Sequence, residues 1–336
     1  MCIRDSANAE YLLPITDPAE ADALTEGVLD GPLETAYWDD ELVATPFWAN
    51  TQLLWFRKSV AEEAGVDPTG EDFTWDDMID AAEATARRIG VQARRYEGYM
   101  VWINALVTSA GGTIVENADE GADATPSMAS PAGDEAADIV DRLANSSAAP
   151  ADITTAGEEE ARSLFQSDAG GFMVNWPYVY AAAKGEVESG ALAPRVLEDM
   201  AWARYPRTDP DRPSTPPLGG INLAIGNFTQ HPDAAVDAVK CITTVENNVQ
   251  YMVEAGNPAA RGAAYDDPAV REAFPMADLI RESINEAAPR PITPYYGDVS
   301  TSVQRTWHPA RDVRAPGTPE ETDQYMGEVL SGDRLL

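Results

Sequence analysis

The stretch Thr45-Pro46-Phe47-Trp48-Ala49-Asn50-Thr51-Gln52-Leu53-Leu54-Trp55-Phe56-Arg57-Lys58 constrains the fold more than any other part of the chain. Leu53, Leu54, Trp55 and Phe56 form an unbroken apolar run rich in aromatics, the pattern of a strand buried on both faces. Just ahead of it, Trp48 and Asn50 bring a flat ring and an amide close together. A sugar suits that pair, because its C–H faces pack on an aromatic ring while its hydroxyls need donors and acceptors that stay paired once water has left. Taken by themselves, Trp48 and Trp55 read more simply as core.

Around this segment helix and strand alternate. Thr74 is a good N-cap with Asp77 three residues on, and Met78, Ile79, Ala82 and Ile89 recur at helical spacing. Glu97-Gly98-Tyr99-Met100-Val101-Trp102 and Ala110-Gly111-Gly112-Thr113-Ile114-Val115 follow, then a small, acidic stretch over 117–130 that reads as a surface loop. Helices are expected over about 131–144 and 157–166. Gly170 to Tyr178 reads as a strand breaking into a turn at Pro177. Five prolines between Pro206 and Pro217 demand an irregular connection, after which Leu218-Gly219-Gly220-Ile221-Asn222-Leu223-Ala224-Ile225 is a short strand whose paired glycines permit close backbone approach. Helices then span 232–243, 246–255 and 268–286. Trp75 and Trp102 read as packing residues, and there is no internal repeat.

These landmarks, in this order, resemble the extracellular solute-binding proteins, family 1, the sugar-binding receptors of ABC importers. The resemblance rests on the crossover stretch 45–58; the helix ending Glu63-Ala64-Gly65 with the threonine-capped Trp75-Asp76-Asp77 helix; Ala110-Gly111-Gly112; Gly171-Phe172-Met173-Val174-Asn175-Trp176-Pro177-Tyr178; Gly219-Gly220-Ile221-Asn222-Leu223-Ala224-Ile225 with the helix opening His231-Pro232-Asp233; and Arg290-Pro291-Ile292-Thr293-Pro294-Tyr295-Tyr296. It covers most of 36–300, and the Asn-Trp-Pro-Tyr form is similar to the trehalose/maltose-binding branch. The resemblance implies an α/β, two-lobe periplasmic-binding-protein-like fold of type II, the lobes joined by crossover hinge strands and the sugar held between them. Lobe one would comprise 1–48 and a return segment 220–265; lobe two would comprise 49–219 and 266–336. Family members carry further βαβ units at the N-terminus, so the chain is expected to continue upstream.

Carried over position by position, the resemblance gives Asn50 contacts to sugar hydroxyls, with Trp48 beside it, and makes Tyr99 a stacking aromatic of lobe two. Trp176 and Tyr178 become the aromatic pair of the lining turn, and Gly219 and Gly220 the second hinge strand. Arg261 becomes the arginine of a Pro-x-Arg motif whose spacing here departs by one residue, and Tyr295 a further aromatic contact. The implied partners are a small sugar and ABC permease subunits, with no cofactor, a monomeric state, and membrane attachment only through a lipid anchor upstream.

Enzymatic alternatives find little in the residues. Asp39-Asp40-Glu41 offers adjacent carboxylates for glycoside hydrolysis, but neighbours in an extended chain point to opposite faces. His231 and His308, the two histidines, lack the spacing of a metal or nucleophile constellation, and no phosphate loop or GxGxxG is present. The functional expectation is therefore a receptor for a di- or oligosaccharide. The alternatives are a glycoside-processing enzyme using surface carboxylates, or a binding protein for a non-sugar solute such as glycerol phosphate. No apolar run is long enough for a transmembrane helix or signal peptide. Cys241 lies in an apolar helical run and reads as a buried thiol, while Cys2 belongs to an opening, Met1 to Ser6, that is similar to translated adapter sequence and carries no structural expectation.

Composition limits the partners and the setting. In 336 residues, 57 acids face 23 bases for a net charge of −34, spread along the chain, and only Lys58, Lys184 and Lys240 are lysines. No basic stripe exists to meet phosphates, so nucleic acid is excluded as a partner. The resemblance implies an extracytoplasmic location, and a diffuse acidic surface with few lysines fits a protein working in concentrated salt, where screening removes self-repulsion; an acidic protein from ordinary salinity is the plainer alternative. Thermal stability should be higher in 2 M than in 0.1 M potassium chloride, since the Debye length contracts from about 10 Å to below about 3 Å; equal melting temperatures would remove the salt reading.

Overall fold

The computed structural model describes residues 3–336, so Cys2 lies outside the described residues. Strands of three or more residues are β1 (Thr45–Thr51), β2 (Leu53–Arg57), β3 (Arg88–Gly90), β4 (Gly170–Asn175), β5 (Met200–Ala203) and β6 (Leu218–Leu223). Helices of eight or more residues are α1 (Pro18–Thr25), α2 (Trp75–Ala84), α3 (Glu97–Ser109), α4 (Pro131–Asn145), α5 (Glu158–Gln166), α6 (Tyr178–Glu188), α7 (Pro232–Ile242), α8 (Val245–Ala255), α9 (Ala277–Glu286), α10 (Tyr296–Thr306) and α11 (Gly317–Leu330). They form two compact α/β units, one of Met1–Thr51, Trp176–Ala182 and Leu218–Pro294, the other of Gln52–Asn175, Ala183–Pro217 and Tyr295–Leu336.

The second unit is built on the apolar run. Leu53 to Phe56 are buried because β2 is an interior strand, antiparallel to both β4 and β5, with β3 parallel to β4 at the far edge. Trp55 lies between Met173 and Trp202 across the ladders, and its indole N–H donates to the Asn175 carbonyl at 2.9 Å. Helix α2 begins where its capping residues require: the Thr74 hydroxyl accepts from the Asp77 amide, and the Asp77 carboxylate accepts from the Thr74 amide. It ends at Ala84, however, and Ile89, which shares its spacing, lies in β3. Trp75, Trp102 and Tyr205 are buried together, with Trp75 centred 5.7 Å from each of the other two rings, and α3 is buried along almost its whole length.

In the first unit β1 pairs antiparallel with β6, while α1 and α7 close a small core of Leu24, Ile225, Val236 and Val239, with Leu13, Ile15 and Leu223 packed partly exposed against it. Three expectations need correcting. Residues 268–286 are two helices, Pro268–Ala273 and α9, because Pro275 has no N–H to continue the ladder. Residues 266–294, like 49–51, 176–182 and 218–219, belong with the first unit, since α9 packs on β1 and the Leu218 amide donates to the Ala288 carbonyl at 3.0 Å. Cys241 is exposed: α7 buries Val236 and Val239, and a residue two positions past Val239 turns about 200° away from that stripe.

Behind β2, Arg57 donates to Asp199 at 2.8 Å, and the Ser59 amide and hydroxyl reach the same carboxylate at 2.8 and 2.7 Å. Burial alone would raise the Asp199 pKa, but these hydrogen bonds and the guanidinium charge outweigh it and hold the group below the ordinary aspartate value. A depressed folded pKa adds stability that is present above the unfolded value and drains away as pH falls through the folded one. Asp199→Asn should therefore lower the melting temperature at pH 7 and converge with the parent at strongly acidic pH; a constant gap across that range would refute the linkage.

Candidate ligand-binding site

The ladder between β1 and β6 places Asn50 opposite Gly219, Ala49 opposite Gly220, and Trp48 opposite Ile221. A Cβ at Gly219 would lie 2.9 and 3.0 Å from Cζ3 and Cη2 of Trp176 and 3.4 Å from Cβ of Asn50. Only a glycine lets the Trp176 ring settle onto the strand beside the Asn50 side chain. Gly220 has φ +126°, and a Cβ there would meet the Trp48 carbonyl oxygen at 2.4 Å, so both backbone conformation and space reserve it for glycine. Trp176 reaches this position because β4 ends at Asn175 and Pro177 turns the chain into α6, whose first residue is Tyr178.

A third stretch holds β1 from its other edge. Ala259 bridges to Trp48, and the Ala49 amide donates to the Pro258 carbonyl at 3.1 Å. Nearby, Gly256 sits against the main chain of Tyr178, and Phe47 packs on Tyr251 with ring centroids 4.7 Å apart. The first unit therefore gathers Trp48, Asn50, Trp176, Tyr178, Gly219 and Gly220. Trp48, Trp176 and Tyr178 are half-buried, and Asn50, 8% exposed, uses its Oδ1 to accept from the Thr51 amide at 3.1 Å. Half-buried rings beside an amide make a surface on which a polyol can stack and hydrogen-bond.

Three expected residues are not gathered there. Tyr99, in the second unit, is fully buried, and its hydroxyl donates to the Trp307 carbonyl at 2.7 Å; burial pushes its phenol pKa up, and it is core rather than a stacking surface. Arg261 is 7% exposed, with its guanidinium fully engaged by main-chain carbonyls, so it presents nothing to a solute. Tyr295 begins the last segment of the second unit, 39% exposed, with its ring against Gly121. His308 follows the buried Trp307, and its Nε2 lies 3.1 Å from the Thr154 carbonyl oxygen. Among the described residues no group of three or more histidines, cysteines and carboxylates is placed to hold a metal, and no helix is long and apolar enough to cross a membrane.

Residues 4–249 match the model of the family described as bacterial extracellular solute-binding protein. The chain belongs to that family. Membership sets it among solute-binding proteins and not among enzymes. A probable ABC transporter-binding protein of Deinococcus radiodurans is 27% identical over 267 residues, 75% of this chain and 59% of the relative, so the chain spans under two thirds of that relative's length. Among solved structures, maltose-bound MalE3 of T. maritima superposes with TM-score 0.82 at 26% identity, covering 99% of this chain and 83% of that one. The GacH receptor of Streptomyces glaucescens GLA.O, solved unliganded and with acarbose, gives TM-score 0.77 at 19% identity over 99% of this chain and 82% of its own, a likeness of fold alone.

For a solute-binding protein one residue of this surface escaped the sequence reading. Ile221, opposite Trp48 and two positions beyond Gly219 on β6, is 50% exposed. The period of two along a strand carries the signal, since alternate residues share a face, but the bulge after Ile221 interrupts the pattern that would have revealed it. Trp176→Ala should weaken solute binding by about 1–3 kcal/mol with little change in melting temperature, whereas Tyr99→Phe should remove about 1 kcal/mol of stability and leave affinity unchanged. Calorimetric titration and thermal melts of both variants check this, and the reverse pattern would exchange the two roles.

Proposed function

We propose that the chain is the extracytoplasmic substrate-binding receptor of an ABC importer, and that it takes a di- or oligosaccharide of the maltose or trehalose type. The observation that carries this reading is the Trp176 ring lying on Gly219 beside Asn50, an aromatic plate next to an amide. Trp48, Tyr178 and Gly220 would extend the surface within the same unit. The maltose named for the T. maritima structure supports a sugar as the solute. Ligand contacts available only in a closed arrangement would shift the protein toward it, and moving from 1% to 99% closed takes about 5.5 kcal/mol of differential binding. The permease would read the closed form.

The protein would act as a monomer, and its acidic surface would suit concentrated salt. Titration with maltose, trehalose, sucrose and glycerol phosphate, followed by recovery of the bound compound, tests the reading. Binding of a disaccharide at micromolar or tighter affinity, its return unchanged, and contraction in small-angle scattering are the expected results. Hydrolysis of the sugar, or binding of glycerol phosphate alone, would overturn the assignment; binding without contraction would refute closure.

A further inference from the structure

Arg261 is buried, and although the Glu26 charge acts on it, every hydrogen bond its guanidinium makes goes to a main-chain carbonyl. Its guanidinium is spread over the ends of two helices: Nη2 donates to the Leu24 and Ala23 carbonyls at 3.2 and 3.4 Å, Nη1 to the Glu26 carbonyl, and Nε to the Thr243 carbonyl. Ala23 and Leu24 lie in the last turn of α1, with Glu26 just beyond, and Thr243 follows the last residue of α7. Carbonyls there have no partner within their helix, and the local dipole favours a cation. The main chain around Arg261 is fixed as firmly. Asn248 Oδ1, from α8, accepts from the Ala260 and Arg261 amides at 3.1 and 3.3 Å. The Leu29 amide donates to the Ala260 carbonyl, and the Gly262 amide to the Gly27 carbonyl, each at 2.9 Å. Two and three residues before Arg261, this same stretch is hydrogen-bonded or bridged to Ala49 and Trp48 of β1.

We propose that Arg261 is a positioning residue of the binding surface: by clamping the C-terminal ends of α1 and α7 it fixes residues 258–260 against β1, and so sets where Trp48 and Asn50 stand, without touching the solute. The proposal rests on the reading of that surface as the solute site, and it gives the arginine a role opposite to direct ligand contact. Arg is suited to it where Lys is not, because the planar fork serves four carbonyls from one fixed geometry. The Asn248 carboxamide is the second tether of the same stretch, so its loss should act in the same direction although it leaves the guanidinium in place.

The test uses Arg261→Gln, Arg261→Lys and Asn248→Ala in the full chain labelled with fluorotryptophan, the Trp48 resonance being assigned through Trp48→Phe. Each variant is titrated with maltose well below its own melting temperature. Arg261→Gln and Asn248→Ala should each weaken maltose binding by about tenfold and move the Trp48 fluorine resonance in the solute-free protein, leaving those of Trp75 and Trp102 in place, with Arg261→Lys intermediate. Lower melting temperatures with unchanged affinity and an unmoved Trp48 resonance would reduce Arg261 to a stabilising residue. Weaker binding by the Arg261 variants with Asn248→Ala unaffected, and Trp48 unmoved, would restore direct contact with the solute. If the parent protein binds no maltose, the sugar assignment fails, while the Trp48 resonance still decides the positioning. Should Arg261→Gln not fold, Arg261→Lys and Asn248→Ala carry the test.

Discussion

Much of the first unit's surface depends on the absence of two side chains. At Gly219 and Gly220 the backbone of β6 comes close enough to β1 and to Trp176 that a single methyl group would meet heavy atoms at 2.4 to 3.0 Å. Interiors are packed too densely to absorb such an intrusion locally. A larger residue at Gly219 would lift the Trp176 ring away from Asn50, and at Gly220 it would spread the ladder itself. The rings and the amide are thus brought together by what the strand lacks, while the contacts at Pro258 and Ala259 keep β1 from moving away on its other side.

Where a local pattern has one physical solution, the residues disclosed the structure. Leu53 to Phe56 had to be an interior strand, Thr74 and Asp77 could only cap a helix, and the glycine pair announced a close approach before any partner was known. Roles set by distant partners were not legible. Tyr99 and Trp176 are both aromatics within apolar-rich stretches, and what separates them is that Tyr99 meets the Trp307 carbonyl, more than two hundred positions away in sequence. Arg261 was placed among the contacts by its likeness to a Pro-x-Arg motif; its partners are carbonyls at helix ends, which carry no residue identity. Cys241 was misjudged for a local reason, since an apolar run around a helix does not say which residue faces inward.

The acidity of the chain shapes how its cations are used. Arg142 faces both Asp76 and Asp80, Arg212 faces Glu135 and Asp209, and Arg271 and Arg281 share Asp266 and Asp278. These exposed pairs add little individually. Their value lies in separating like charges, which elsewhere crowd together: along α4, Asp138 has its pKa raised by partial burial and then by Asp134, Asp141 and Glu135. With cations this scarce, an arginine spent on main-chain carbonyls rather than on a carboxylate marks a place where geometry matters more than charge balance.

The first unit is assembled from three separated pieces of chain, and this gives its formation an order in time. Strand β1 ends at Thr51 and its ladder partner β6 begins at Leu218, so during synthesis at 5–20 residues per second β1 waits roughly ten to thirty seconds for its neighbour. The second unit waits as well, because α10 and α11 are the last helices to be made. Neither unit can close before most of the polypeptide exists. Until then the edge of β1 that β6 will cover stays unpaired, the kind of surface on which partly made chains aggregate.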